Sequence, residues 1–125
     1  MRIFKTKLFA RFARRERIKD GALCEAVERA EKGLVDADLG GGVIKQRIPR
    51  EGQGRSGGYR TLLAFRSGEF SVFLFGFAKS DRGNIAPDEL EDLHTIASLW
   101  FADAKKIQKD MTAGILIEVK HDHET

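Results

Sequence analysis

From Val43 to Ile48 the chain alternates in character, and Pro49 stops the run. In a strand, Ile44 and Ile48 fall on one face, while Lys45 and Arg47 fall on the other. Two more strand-like runs follow, Tyr59 to Phe65 and Phe70 to Phe77, with the turn Ser67-Gly68-Glu69 between them. This spacing predicts a meander. The last run is apolar almost throughout (Val72, Phe73, Leu74, Phe75, Phe77), which predicts a place in the centre of the sheet. Arg2 to Lys7 reads as a short opening strand, and Ile115 to Val119 as a possible closing one.

Elsewhere the period lengthens to that of a helix. Leu8, Phe9, Phe12 and Ala13 form a short stripe, ringed by Arg11, Arg14, Arg15 and Arg17. Leu23, Val27, Ala30 and Leu34 follow one helical face, with Asp20 at the N-cap position and Gly33 near the end. These two helices read as an antiparallel pair joined by a short turn. Pro87, Asp88 and Glu89 open a third helix. Leu90, Leu93, Ala97, Trp100, Ala104 and Ile107 continue it until Gly114. Asp36 to Gly42 reads as a loop. The pattern predicts an α+β domain with its helices packed on one face of the sheet.

At 125 residues the chain fits one domain, and nine Phe within 42% hydrophobic residues supply a core. The domain is expected over 1–112, with a C-terminal extension over 113–125 whose last residues are mobile. A single cysteine, Cys24, excludes an internal disulfide and reads as a buried thiol on a helix. The charged N-terminus does not resemble a signal peptide, and no apolar run reaches bilayer length. These features predict a cytoplasmic protein with no membrane partner.

Charge changes the picture most. A net charge of +3 hides a segregation: residues 1–20 sum to +6, 21–40 to −3, 41–80 to +5 and 81–125 to −5. Lys45, Arg47, Arg50, Arg55, Arg60, Arg66 and Lys79 face only Glu51 and Glu69 within the third segment. Like charges held close repel, so the cluster points to a partner that brings negative charge, phosphate first among them. The glycine-rich stretch Gly52-Gln53-Gly54-Arg55-Ser56-Gly57-Gly58 lies among these cations. It is not a P-loop, because no Gly-Lys-Ser/Thr and no helix follow it. It is not a dinucleotide fingerprint either, because a strand follows. Read alone, it is a hairpin connection whose meander brings the flanking cations side by side.

Such a set suits RNA cleavage without a metal or cofactor. That chemistry needs a group to take the ribose 2′-OH proton, fixed positive charge near the phosphate, and a proton donor for the leaving 5′-oxygen. Arginine binds phosphate bidentately and keeps its charge. Lysine can act as the base when neighbouring cations depress its pKa, and tyrosine can stack on a base or give a proton. The bland alternatives stay open: Lys45 and Arg47 as solvated residues, Arg60 as an ion pair to the acidic third helix, Lys79 as a strand end. His94 reads as a rim residue. His121 and His123 flank Asp122, but no further ligands converge, so no metal site is expected.

Three segments carry a family resemblance: Gly41-Gly42-Val43-Ile44-Lys45-Gln46-Arg47, the run from Gly52 through Gly57-Gly58-Tyr59-Arg60, and Phe75-Gly76-Phe77-Ala78-Lys79 ahead of the helix at Pro87. In this order, over roughly residues 3–110, the chain resembles the RelE/ParE superfamily of bacterial toxins and its HigB-like branch. The resemblance implies two N-terminal helices and a C-terminal helix on a curved, mainly antiparallel sheet. It implies a metal-independent endoribonuclease that cuts mRNA on the ribosome and is neutralised by a cognate antitoxin, a small helix-turn-helix protein. By position, Lys45, Arg47, Arg55, Arg60 and Lys79 match the family's basic site, while Tyr59 lies where relatives vary. With the basic cluster, this gives Lys45, Arg47, Arg60 and Lys79 as the expected catalytic residues, and Arg50, Arg55, Tyr59 and Arg66 as the expected RNA or phosphate contacts. Arg11, Arg14, Arg15 and Arg17 would then be either a solvated face or a contact for ribosomal RNA or the antitoxin. Two other functions share these features: a ParE-like toxin that poisons gyrase, and an RNA-binding module without chemistry.

Overall fold

A computed structural model describes residues 1–50 and 57–120. The expectations for Arg55, for the tip of the glycine-rich stretch and for His121 and His123 lie outside the described residues. The elements run β1 (Arg2–Thr6), α1 (Lys7–Glu16), α2 (Asp20–Glu31), β2 (Ala37–Asp38), β3 (Val43–Ile48), β4 (Tyr59–Arg66), β5 (Phe70–Ala78), α3 (Pro87–Ala102), α4 (Lys105–Thr112) and β6 (Leu116–Glu118).

The strands form one sheet in the order β2-β3-β4-β5-β1-β6. Only β1 with β5 is parallel; the other neighbours are antiparallel. The apolar β5 is central, as its composition predicts. Leu62 pairs with Phe75 and Leu63 with Phe73, so Leu74 is an extra residue in β5. This bulge lets Leu74 and Phe75 lean into the same core.

The helices do not share one face, which corrects the sequence expectation. α1 and α2 bring Phe9, Phe12, Leu23 and Val27 onto Ile44, Ile48, Leu63 and Phe73. α3 and α4 bring Leu93, Ala97, Trp100 and Ile107 onto Val43, Leu62, Val72 and Phe77 on the other face. The reason lies in β4 and β5, which are buried on both sides: a near-continuous apolar strand needs cover above and below.

The third helical stripe is also two helices rather than one. Asp103 adopts extended backbone (φ −150°, ψ 98°) between α3 and α4. The buried Asp110 on α4 accepts from Trp100 Nε1 on α3 (2.9 Å) and from Lys106 Nζ (3.1 Å), which clamps the two together. The segment read as a loop includes the two-residue β2. After β2, Gly42 (φ +82°) leaves room for the Phe101 ring, which an added Cβ would approach to 2.4 Å.

α2 starts one residue earlier than expected, with Lys19 rather than Asp20 at the cap. It ends before Leu34, because Gly33 (φ +83°) turns the chain away. Leu34 therefore leaves the apolar stripe and is 60% exposed. The buried Gln46 holds the segment that follows. It donates to Ala26 O and Leu34 O and accepts from the Asp36 N–H. Those bonds use both amide N–H groups and give the carbonyl oxygen a partner, so its burial on the α2 side is tolerated.

Candidate functional site

The β3–β4 register decides which cations meet. Arg47 pairs with Arg60, Lys45 with Leu62, and Arg60 with Phe77 on the far side. Strand alternation places Lys45, Arg47 and Arg60 on the face of Leu62 and Phe77. Directly opposite side chains lie about 5 Å apart at Cβ, where like charges destabilise the pair. Arg60 is buried, and its Nη1 finds no hydrogen-bond partner among the described residues. Burial, and next the Arg47 charge, hold its pKa below the usual arginine value; Asp36 pulls the other way. Arginine keeps its proton at neutral pH even so. A permanent charge thus sits in the protein with donor capacity to spare.

Lys45 is half-buried, and its Nζ donates to Asn84 Oδ1 at 3.3 Å. Lys79 is exposed just beyond β5, and its N–H donates to Gly58 O (3.1 Å). The strands close tightly there: a Cβ on Gly58 would stand 2.4 Å from Ile48 O. Lys79 thus sits at the same end of the sheet as Arg47 and Arg60.

Three predicted RNA contacts lie elsewhere or are already engaged. Tyr59 precedes Arg60, so alternation turns it to the opposite face, where it is buried against Phe12. Its hydroxyl donates to Glu16 Oε1 (3.1 Å), and burial with that carboxylate raises the phenol above its usual pKa. Arg50 joins it there, its guanidinium 5.5 Å from the Tyr59 ring centre and 4.0 Å from Glu16. Arg66 shares the face of Arg60 but lies six residues further along β4, about 20 Å away. It donates to Phe101 O (2.9 Å), lies over the Phe70 and Phe101 rings and pairs with Glu69 at 3.6 Å.

Two residues on the cationic face escaped the sequence reading. Arg82 lies over the Phe75 and Phe77 rings, beside the Lys45–Asn84 contact. Its guanidinium bonds Glu89 at 2.6 Å, which raises the pKa of Arg82 and, with the Ala86 N–H, lowers that of Glu89. The second is Asp36: its Oδ2 accepts the backbone N–H of Arg47 at 2.6 Å, and its charge acts on Arg60. Both fall in segments that sum to negative charge, so a block-wise reading assigns them to the acidic remainder. The phenylalanines at 75 and 77 were the available signal: a cation following an aromatic strand end has a ring face to rest on.

Lys45, Arg47 and Arg60 thus share one sheet face of a small α+β fold, and Arg60 Nη1 is left without a partner among the described residues. Residues 1–119 match the protein family described as RelE toxin of RelE / RelB toxin-antitoxin system. The chain belongs to the RelE toxin family, and so is the toxin of a pair whose other member is a cognate antitoxin. No curated protein matches it. Among the described residues no helix is long and apolar enough to cross a membrane.

Proposed function

We propose that this toxin is a ribosome-dependent mRNA endonuclease of the HigB-like kind, acting in the cytoplasm through Lys45, Arg47, Arg60 and Lys79. The observation that carries the reading is the buried Arg60 with a donor to spare, set directly opposite Arg47. Two facing guanidiniums match a phosphodiester, whose non-bridging oxygens accept bidentate hydrogen bonds. In the reaction the ribose 2′-oxygen bonds to phosphorus and the bond from phosphorus to the 5′-oxygen breaks. Arg47 and Arg60 hold the phosphate as charge builds on its oxygens. Lys45 or Lys79 takes the 2′-OH proton, and the other lysine supplies charge or a proton to the leaving oxygen. No step in this scheme calls on a metal or cofactor. Arg55 completes the phosphate contacts. Tyr59 and Arg50 act from the opposite face by fixing the end of the β3–β4 hairpin, while Arg66, on the same face as Arg60, holds α3. The antitoxin, a small helix-turn-helix protein in this reading, silences the cationic face.

Purified toxin is added to ribosomes programmed with a defined mRNA, and new 5′ ends are mapped. Cut ends that require the ribosome support the proposal. Binding without cut ends indicates an RNA-binding module. Intact mRNA, with replication rather than translation stopping first after induction in cells, indicates gyrase poisoning.

A further inference from the structure

A cavity of about 470 Å³ opens at the edge of the sheet, lined by Arg29, Leu34, Val35, Asp36, Arg47 and Pro49. It lies just before β2 begins. β2 pairs only with Ile44 and Lys45, so the described edge of β3 beyond them carries no strand. Asp36 and Arg29 fix its walls by bonding the Arg47 N–H and carbonyl, respectively. Leu34 and Pro49 are exposed among the described residues, and they give the cavity an apolar side.

This lining suits a nucleobase better than a phosphate. Apolar walls and a guanidinium accept a ring face. A carboxylate repels phosphate but accepts N–H groups from a base edge. Asp36 spends one lone pair on Arg47, and a carboxylate offers about four such sites. The cavity borders the cationic face: Arg47 lines it and pairs across the ladder with Arg60, and the charge of Asp36 reaches Arg60.

We infer that this cavity receives the base of a nucleotide flanking the scissile phosphate, and that Asp36 selects guanine there. Guanine alone presents two adjacent donors, N1–H and N2–H, to a carboxylate. Uracil presents a single N–H between two carbonyls. Adenine and cytosine set a ring acceptor beside their amino group, where it faces the carboxylate. The inference rests on the nuclease reading, since a flanking base implies a bond to cut.

The test uses ribosomes programmed with four mRNAs that differ only in one nucleotide beside the cut, each flanking position taken in turn. Wild-type toxin favours guanine at one position by roughly five-fold or more. Asp36→Asn, which keeps an acceptor for the Arg47 N–H, levels that preference. Leu34→Ser, at an exposed position outside the core, lowers cutting at the guanine site several-fold and provides a second reading if Asp36→Asn does not fold. Equal cutting of all four mRNAs by wild type, or an Asp36→Asn profile lowered uniformly with its preference intact, overturns the guanine assignment and leaves the nuclease standing. No cutting of any mRNA by wild type removes both.

Discussion

Arg60 and Arg66 stand on the same strand and the same face, yet they are opposites. Arg66 is fully employed: a carbonyl, a carboxylate and two rings surround its guanidinium. Arg60 is more deeply buried and has a donor left over. Residue type and strand parity are shared, so neither explains the difference. What differs is the neighbour across the ladder: Arg66 pairs with Phe70, whereas Arg60 has Arg47 on one side and Phe77 on the other. A protein gains nothing in stability from two facing guanidiniums.

The contrast breaks first at Arg60. Arg60→Met is expected to reduce cleavage on programmed ribosomes by 100-fold or more, roughly the cost of losing one fixed transition-state donor. The same change leaves stability to chemical denaturation unchanged or raised by about 1 kcal/mol, because an unpaired buried charge is replaced by an apolar chain. A large loss of stability would mean that Arg60 is structural, like Arg66. Arg47→Met should lower cleavage less, by roughly ten-fold, since one guanidinium of the facing pair remains. Arg66→Met reverses the pattern. Cleavage is kept, while stability falls by about 1 kcal/mol for a charged hydrogen bond at a partly exposed site. Hydrogen exchange should show that loss in α3, where the Phe101 carbonyl is released.

The smallest effect sharpens the division between the two faces. Tyr59 is the only tyrosine, so phenolate absorbance reports it alone. Its pKa is raised by burial and by Glu16, and is lowered by Arg50. The neutral phenol is therefore favoured by the fold. The stability this gives is fully present below the ordinary phenol pKa and is lost as pH rises through the folded value. Glu16→Gln should move the titration midpoint down, and Arg50→Met should move it up. A Tyr59 that titrates like a free phenol in all three proteins would return it to the solvent and to the list of RNA contacts.

Much of the fold was legible because its signals are local. The alternation through Val43–Ile48, the apolar run of β5 and the proline-led start of α3 are properties of neighbouring residues. The placement of helices on both faces was legible only in part. It follows from β4 and β5 being apolar on both sides, but how the chain returns over them is a tertiary matter. The break at Asp103 stayed hidden because Ala104 and Ile107 preserve helical spacing across it. At the site, parity foretold that Lys45 and Arg47 share a face, and it equally foretold that Tyr59 and Arg60 do not. Asp36 and Arg82 were hidden for another reason: they approach the cations from outside the basic block, from the α2–β2 connection and the segment after β5.

The first strand lies between the last two: β1 pairs with β5 on one side and β6 on the other. Arg2 thus waits for Phe70, and Phe4 for Glu118, before either is in register. Such distant pairings make loop closure slow. During synthesis the amino-terminal segment leaves the exit tunnel long before its neighbours exist, and the sheet is incomplete until residues beyond 116 have followed. A chain stopped before Leu116 therefore leaves β1 with an open, unpaired edge, so this sheet is finished only once β6 has been made.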